Sequence, residues 1–300
     1  MEVIGKIVGI NSSDGLINLT VEDKNKEVFN LKISNLYADK FKVTDVFSFE
    51  CTLDNRDGRV RYNIESFKNV RDFEFEDKAE ALHNFYKSAP FSIKEAETEI
   101  NKYIDKISNK ILKDLVNYLV DKFHDDFYIY PAATKMHHNY IGGLSYHVIG
   151  MLHLADGFLN TYNYLNSDYV YAGIILHDIA KVHELTEPIN PAYSTEGQLV
   201  GHLVMGAMEI KMAAKELGYE DTEEALVLIH MLLSHHGVPQ FGAAKKPMVA
   251  EAMLLWYIDS IDSKFRVMEE ELNNLFRNIG PSTLVVVERI FDSKKIKDLV

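Results

Sequence analysis

The hydrophobic pattern changes its period once along the chain, near residue 76, and this change limits the fold to a β unit followed by a helical one. Before it, apolar and polar residues alternate. A period of two sends every second side chain to one face of a strand. Strands are predicted at 3–10, 15–21, 27–33, 46–53 and 60–64, with a hairpin turn at Asp54-Asn55-Arg56-Asp57-Gly58 between the last two. Leu36 to Phe41 suits a helical turn or two after the third strand. Five strands with a small helix after the third is the order of an OB barrel, and other small barrels share the strand count.

From residue 76 onward apolar residues recur at helical spacing. Helices are predicted near 78–87, 92–106, 108–124, 143–160, 167–182, 198–217, 222–235 and 247–277, with Gly218, Gly237 and Pro247 as punctuation. Residues 183–197, which include Pro188, Pro191 and Gly197, form a loop in this reading. The expected organisation is a small β-barrel over 1–75 and an all-α domain over 76–300. A chain of 300 residues can build both cores.

Composition excludes several classes. No apolar run reaches membrane-spanning length, and the first residues lack the shape of a signal peptide, so a cytoplasmic location is expected. The lone Cys51 rules out an internal disulfide and a cysteine-based zinc finger. Net charge is −13. Residues 1–72 carry eleven Lys/Arg against twelve Asp/Glu, so nearly all the excess lies in the helical part. A nucleic-acid substrate therefore needs a local basic surface.

Histidine is concentrated where the acid is. Of 12 histidines, all but His83 fall between His124 and His236. His147 follows Gly142-Gly143. His177-Asp178 ends the apolar helix Tyr171 to Leu176. His202 opens the next helix, His235-His236 closes another, and Asp259 sits inside the apolar run Met253 to Ile258. A single helical histidine is most often a hydrogen-bonded core or surface residue. Imidazoles and carboxylates buried along five helices need a common partner, because an unpaired buried carboxylate is costly. A divalent cation supplies that partner. Donors of nitrogen and oxygen without thiolate suit Mn²⁺, Fe, Co²⁺ or Zn²⁺. Two cations need a bridging carboxylate, for which Asp178 is the natural choice. One cation then takes His147, His177, Asp178 and Asp259, and the other takes Asp178, His202, His235 and His236; a single-metal version keeps only the first four.

His147, His177-Asp178 and Asp259 together resemble the HD-domain phosphohydrolase signature, and His202 with His235-His236 resembles its two-metal subtype. The stretches Tyr130 to Ala133, His137 to His147, Ala172 to Lys181 and Leu233 to Gly237 resemble the YhaM-type 3′→5′ exoribonucleases, which join an N-terminal OB fold to an HD domain. The resemblance implies Mn²⁺ as the metal and single-stranded RNA as the substrate, with single-stranded DNA a further one. It also implies 5′-mononucleotides released from the 3′ end by two-metal activation of water.

Other residues carry weaker expectations. Lys181 lies one turn after His177 and is expected to hold a phosphate oxygen, against the plain alternative of a solvated lysine. His137 and His138 are candidates for binding phosphate or for protonating the leaving oxygen. Asp262 is expected to support a ligand or pair with Arg266, and Glu251 to give similar support. His183 and Glu184 are placed at the mouth of the site without a role. In the barrel, Phe29, Phe49 and Tyr62 are candidates for stacking bases, and Arg59 and Arg61 for following phosphates. Two other readings stay open: an HD phosphohydrolase of nucleotides or cyclic nucleotides, and a non-catalytic OB-fold nucleic-acid-binding protein. The long last helix and the tail 283–287 suit either a homo-oligomer contact or packing within the chain.

Overall fold

The computed structural model describes residues 1–13, 15–56, 59–134 and 138–279. His137 and the tail 283–287 lie outside the described residues, as does the side chain of Arg59. The chain divides into two compact units, Met1–Ser88 and Ala89–Val300.

The first unit is built from β1 (Glu2–Ser13), β2 (Leu16–Asp23), β3 (Val28–Ser34), β4 (Val46–Arg56) and β5 (Arg59–Asn69), with helix α1 (Phe75–Phe85). The strands close into a barrel in the order β1-β2-β3-β5-β4, and β4 returns to pair with β1. All pairings are antiparallel except β3 with β5. A 3₁₀ helix, Asn35–Lys40, falls between β3 and β4. This is the order expected of an OB fold.

The alternation read from sequence is what fills the barrel. Val3, Ile7, Ile17, Leu19, Val21, Leu31, Phe47 and Phe49 point inward and are buried. Each such side chain contributes about 1.5–3 kcal/mol on leaving water. Gly5 is in β1 because a Cβ there would overlap Val21 and the Glu22 backbone. Irregular registers at Ile7/Gly9 and Glu50/Cys51 bend β1 and β4, which helps a five-stranded sheet to close.

The second unit contains α2 (Ile93–Lys106), α3 (Lys110–Lys122), α4 (His124–Phe127), α5 (Gly143–Thr161) and α6 (Ser167–Leu176). These are followed by α7 (Lys181–Glu184), α8 (Thr195–Leu199), α9 (His202–Glu216), α10 (Glu223–Ser234) and α11 (Ala250–Ile279). Side-chain caps start several of them: Ser92 with Glu95 in a reciprocal pair, Asn109, Asn166, Ser194 and Thr222. Helix α6 is buried nearly all round and packs against α2, α3, α5, α10 and α11. It is the axle of the unit, and whatever follows it emerges in the interior.

Two predicted helices end differently from expectation. The segment 167–182 does not run through: α6 stops at Leu176, residues 177–180 form turns, and α7 restarts at Lys181. The predicted helix 198–217 starts only at His202, because Gly201 takes a left-sided backbone (φ 78°) and separates α8 from α9. Among the described residues, no helix is long and apolar enough to cross a membrane.

Candidate metal centre

The break after α6 gives the site its middle. His177 and Asp178 leave the helix in the centre of the bundle and are fully or almost fully buried. His147 comes from α5, His202 from the first turn of α9, His235 and His236 from the end of α10, and Asp259 from α11. These residues are distant in sequence and meet in one place. Their imidazole rings form a chain: His147 to His177 at 5.3 Å, His177 to His235 at 5.1 Å, His235 to His236 at 4.5 Å and His236 to His202 at 5.1 Å between centroids.

Every one of these rings is tied back through Nδ1. His177 and His235 bond the carbonyls of Ile174 and Leu232, each three residues earlier, at 2.8 Å. His236 bonds the Phe241 carbonyl at 2.7 Å. His202 bonds Glu184 Oε1 at 2.8 Å, and His147 bonds Asp262 Oδ2 at 2.7 Å. A carbonyl or carboxylate can only accept, so Nδ1 carries the proton in the neutral ring and Nε2 keeps its lone pair.

Those Nε2 atoms converge on the carboxylates. Asp178 Oδ1 lies 3.3 Å from His202 Nε2 and 3.7 Å from His235 Nε2. Asp178 Oδ2 lies 3.1 Å from His177 Nε2, and Asp259 Oδ1 lies 3.2 Å from His147 Nε2. Yet Nε2 of His177, His202 and His235 and Oδ1 of Asp178 are buried without a hydrogen-bond partner. Four orphaned polar atoms in one spot are the mark of a set that another ligand completes. Three groups among the described residues have the compactness for a cation: His138, His147 and Asp262, and, beside Asp178, the two sets His147, His177 and Asp259, and His202, His235 and His236. Asp178 touches both with different oxygens. The donor set fits divalent cations held by nitrogen and oxygen.

Electrostatics agree with that fit. Burial pushes the Asp178 carboxyl up, but His177, Lys181 and His202 reverse this and hold it well below the usual carboxylate range. Burial pushes His235 well below its usual value and also lowers His236, so both offer lone pairs. His147 differs. Burial lowers it, but the hydrogen bonds it donates to Asp259 and Asp262 outweigh burial and hold it at about 9. A cation and that proton compete for the same nitrogen.

Around the ligands stand Glu184, whose role the sequence did not disclose, and Asp262, which it assigned to ligand support. Glu184 is buried and accepts from both the backbone N–H of His202, at 3.0 Å, and its ring. A Cβ on Gly197 would overlap the Glu184 backbone, so that glycine lets α8 close against Glu184. Asp262 is expected to support a ligand, and it bonds His147 and, at 3.0 Å, His138 Nε2. Gly150 was the available clue: a Cβ there would overlap Asp262 Oδ1. No comparable sequence signal marks Glu184, which lies 18 residues before its partner.

Of the remaining expectations, those for His138, Phe49 and Glu251 need correction. His138 has no exposed surface, and both ring nitrogens are engaged, with Asp262 and with the Tyr140 hydroxyl at 3.1 Å. Burial also lowers it to about 4, so in this position it buttresses Asp262 rather than delivering a proton. Lys181 is largely buried, with Nζ 2.7 Å from Asp178 Oδ2. Phe49 cannot stack a base: it has no exposed surface and stacks on Phe47 in the barrel core. Phe29 and Tyr62 pack edge to face, 5.8 Å apart, against the same core. Arg61 is exposed on β5. Glu251 accepts from the Asn166 backbone N–H at 2.8 Å and supports the start of α6, not the metal centre. His183 packs its ring against Phe123.

Comparison with known proteins matches the HD domain over residues 144–264, which contain every proposed ligand. The chain is 40% identical over 221 residues to the 3′-5′ exoribonuclease YhaM of Geobacillus sp. (strain WCH70), covering 74% of this chain and 67% of that protein. It is 40% identical over 218 residues to YhaM of Bacillus subtilis (strain 168), covering 73% and 68%. With YhaM of Bacillus licheniformis the identity is 42% over 194 residues, covering 65% and 62%. The aligned part thus spans about two thirds of these curated relatives, or slightly less. A closed five-stranded barrel, a helical HD domain with its histidines and aspartates gathered at one point, and this degree of identity place the chain in the YhaM family of 3′-5′ exoribonucleases.

Proposed function

We propose that this chain is a metal-dependent exonuclease that removes 5′-mononucleotides from the 3′ end of single-stranded RNA and also accepts single-stranded DNA. The observation that carries the reading is the cluster of buried, unsatisfied Nε2 atoms around Asp178. Relatives named 3′-5′ exoribonuclease support the polymer substrate and the polarity. A cytoplasmic location is part of the same reading.

In this proposal His147, His177, Asp178 and Asp259 hold one divalent cation, Mn²⁺ by preference, and Asp178, His202, His235 and His236 hold a second. Divalent cations bound there would supply Lewis acidity, making water a better nucleophile near neutral pH and offsetting charge on the phosphoryl oxygens. The residues of the chain do the positioning. Asp178 stays ionised because His177 and Lys181 face it. Lys181 spends one N–H on Asp178 and directs its others to a phosphate oxygen. Glu184 and Asp262 fix the orientation of His202 and His147.

The test uses a 5′-labelled single strand and follows shortening and nucleotide release, with cation content measured alongside. Asp178→Ala is expected to lower activity by at least about 100-fold and to reduce bound metal. An Asp178→Ala protein that keeps full activity would remove the site from the mechanism. Release of nucleoside from free mononucleotides, with no shortening of RNA, would favour the nucleotide phosphohydrolase instead.

A further inference from the structure

Between His236 and Glu251 the chain carries two lysines, Lys245 and Lys246, and no acidic residue, although its net charge is −13. This segment starts at a proposed metal ligand and stays beside it. The 3₁₀ turn Pro239–Phe241 folds back so that the Phe241 carbonyl accepts from His236 Nδ1 at 2.7 Å. Gly242, with φ 96°, closes that turn by donating to the Pro239 carbonyl at 3.0 Å. Farther on, the Ala244 N–H donates to the Leu233 carbonyl at 2.9 Å, and the Met248 N–H to His230 Nε2 at 2.9 Å. The loop therefore retraces the end of α10 in reverse, from the metal centre outward, and is pinned along its length.

What this pinned loop displays is unusual for its setting. Phe241 is 70% exposed, although its own carbonyl rests on a metal-centre histidine. Burying such a ring would gain about 1.5–3 kcal/mol, and the fold forgoes it. Lys245 and Lys246 are exposed, and neither has an ion pair among the described residues. Glu251, the next acid along the chain, is committed to the Asn166 backbone N–H at 2.8 Å. An aromatic face followed by cations is what a single strand needs: the ring stacks a base, and the ammonium groups follow phosphates. It is also the local basic surface that a polyanion requires on an acidic chain.

We propose that the loop from Val238 to Met248 guides the 3′ end of the strand into the metal centre. Phe241 stacks the penultimate base, on the 5′ side of the phosphate being cut, and Lys245 and Lys246 hold the phosphates upstream of it. The proposal rests on the exoribonuclease reading above. Order along the loop gives the assignment. The scissile phosphate belongs at the metal ligands, Phe241 comes next and the lysines lie farther along, so successive nucleotides meet them in that sequence. Every base has a π-face, so this grip ignores base identity and is renewed each time a nucleotide leaves.

The test measures kcat/KM for release of the first nucleotide from a 5′-labelled oligouridylate of about 12 nucleotides. A second strand of the same length lacks only its penultimate base. The full chain is used with saturating Mn²⁺, and cleavage itself sets the register of the strand. Phe241→Leu keeps an apolar side chain without a ring. It is expected to lower kcat/KM at least about fivefold on the intact strand and less than about twofold on the strand with the missing base. Phe241→Trp should stay within about twofold of wild type on both. Bound Mn²⁺ should match wild type in both variants, because the backbone carbonyl and not the ring holds His236. Lys245→Gln/Lys246→Gln should flatten the fall of log kcat/KM with log salt by about 1.4 in slope, the share of two phosphate contacts. Full activity in Phe241→Leu overturns the proposal, as do equal losses on both strands or a loss of bound Mn²⁺ along with the ring. An unchanged salt slope overturns the phosphate contacts. A wild type that shortens no strand sinks the exoribonuclease reading itself, whereas a wild type that shortens both and is matched by every variant sinks only the loop.

Discussion

A histidine serves a metal through the nitrogen that the protein leaves alone, so the residue holding the other nitrogen matters nearly as much as the ligand. Glu184 holds Nδ1 of His202 and Asp262 holds Nδ1 of His147. Replacing either carboxylate by its amide keeps the shape but removes the charge and can reverse the hydrogen bond. Glu184→Gln and Asp262→Asn should each weaken Mn²⁺ binding by roughly 10–100-fold in calorimetric titration. Affinity equal to wild type in both would show that the orienting contacts are dispensable. The ligands themselves were legible because residue type and company announce them: histidines in apolar helices beside aspartate. Glu184 was not, because its contact is made by a loop folding back, and no spacing encodes that. Phe49 shows the opposite failure. Its place in the alternation Phe47-Phe49-Cys51 already pointed inward, and reading it by its chemistry as a base-stacking ring overlooked its phase in the strand.

Among the elements, the periodic stretches were read well and the interruptions poorly. The apolar run that predicts α6 also predicts its continuation, yet the helix stops where His177 and Asp178 must turn into the bundle. A similar interruption follows α10, where Gly237 has φ 77° and lies flat against Trp256. Gly237→Ala should cost about 2–4 kcal/mol in urea unfolding, combining an unfavourable backbone with overpacking against the indole. It should also loosen cation binding, since it displaces His235 and His236. A loss below about 0.5 kcal/mol would mean the turn adapts freely. Elsewhere Asp156 of α5 ties three helices together: it accepts from Tyr103 of α2 at 3.0 Å and Tyr171 of α6 at 2.8 Å, with Lys106 at 3.3 Å. Burial raises its carboxyl, but these donors outweigh that and hold it below the ordinary value. Its contribution is therefore complete above the unfolded pKa of about 3.9 and is lost as pH falls through the lower folded value. Asp156→Asn should melt below wild type at pH 6, and the gap should close towards pH 3. A gap that is constant with pH would contradict the ionic account.

For the whole molecule, the single tryptophan, Trp256, belongs to the helical unit and sits beside the turn that follows His236. Its fluorescence reports that unit without interference from the barrel. Adding Mn²⁺ at about 100 times its dissociation constant should stabilise the unit by about 2.7 kcal/mol, and EDTA should remove the gain. That corresponds to roughly 5–10 °C in the melting temperature for a unit of this size. A Trp256 transition indifferent to both would argue that no cation binds in the native state.

Because each of the five imidazoles is already anchored by its far nitrogen, the cage is assembled by the polypeptide and not by its guest. Small metal-folded domains behave otherwise, collapsing only when the ion arrives. This chain, once stripped, should retain its full helical circular dichroism and take up metal again in one rapid phase, with no refolding step to slow its return to work.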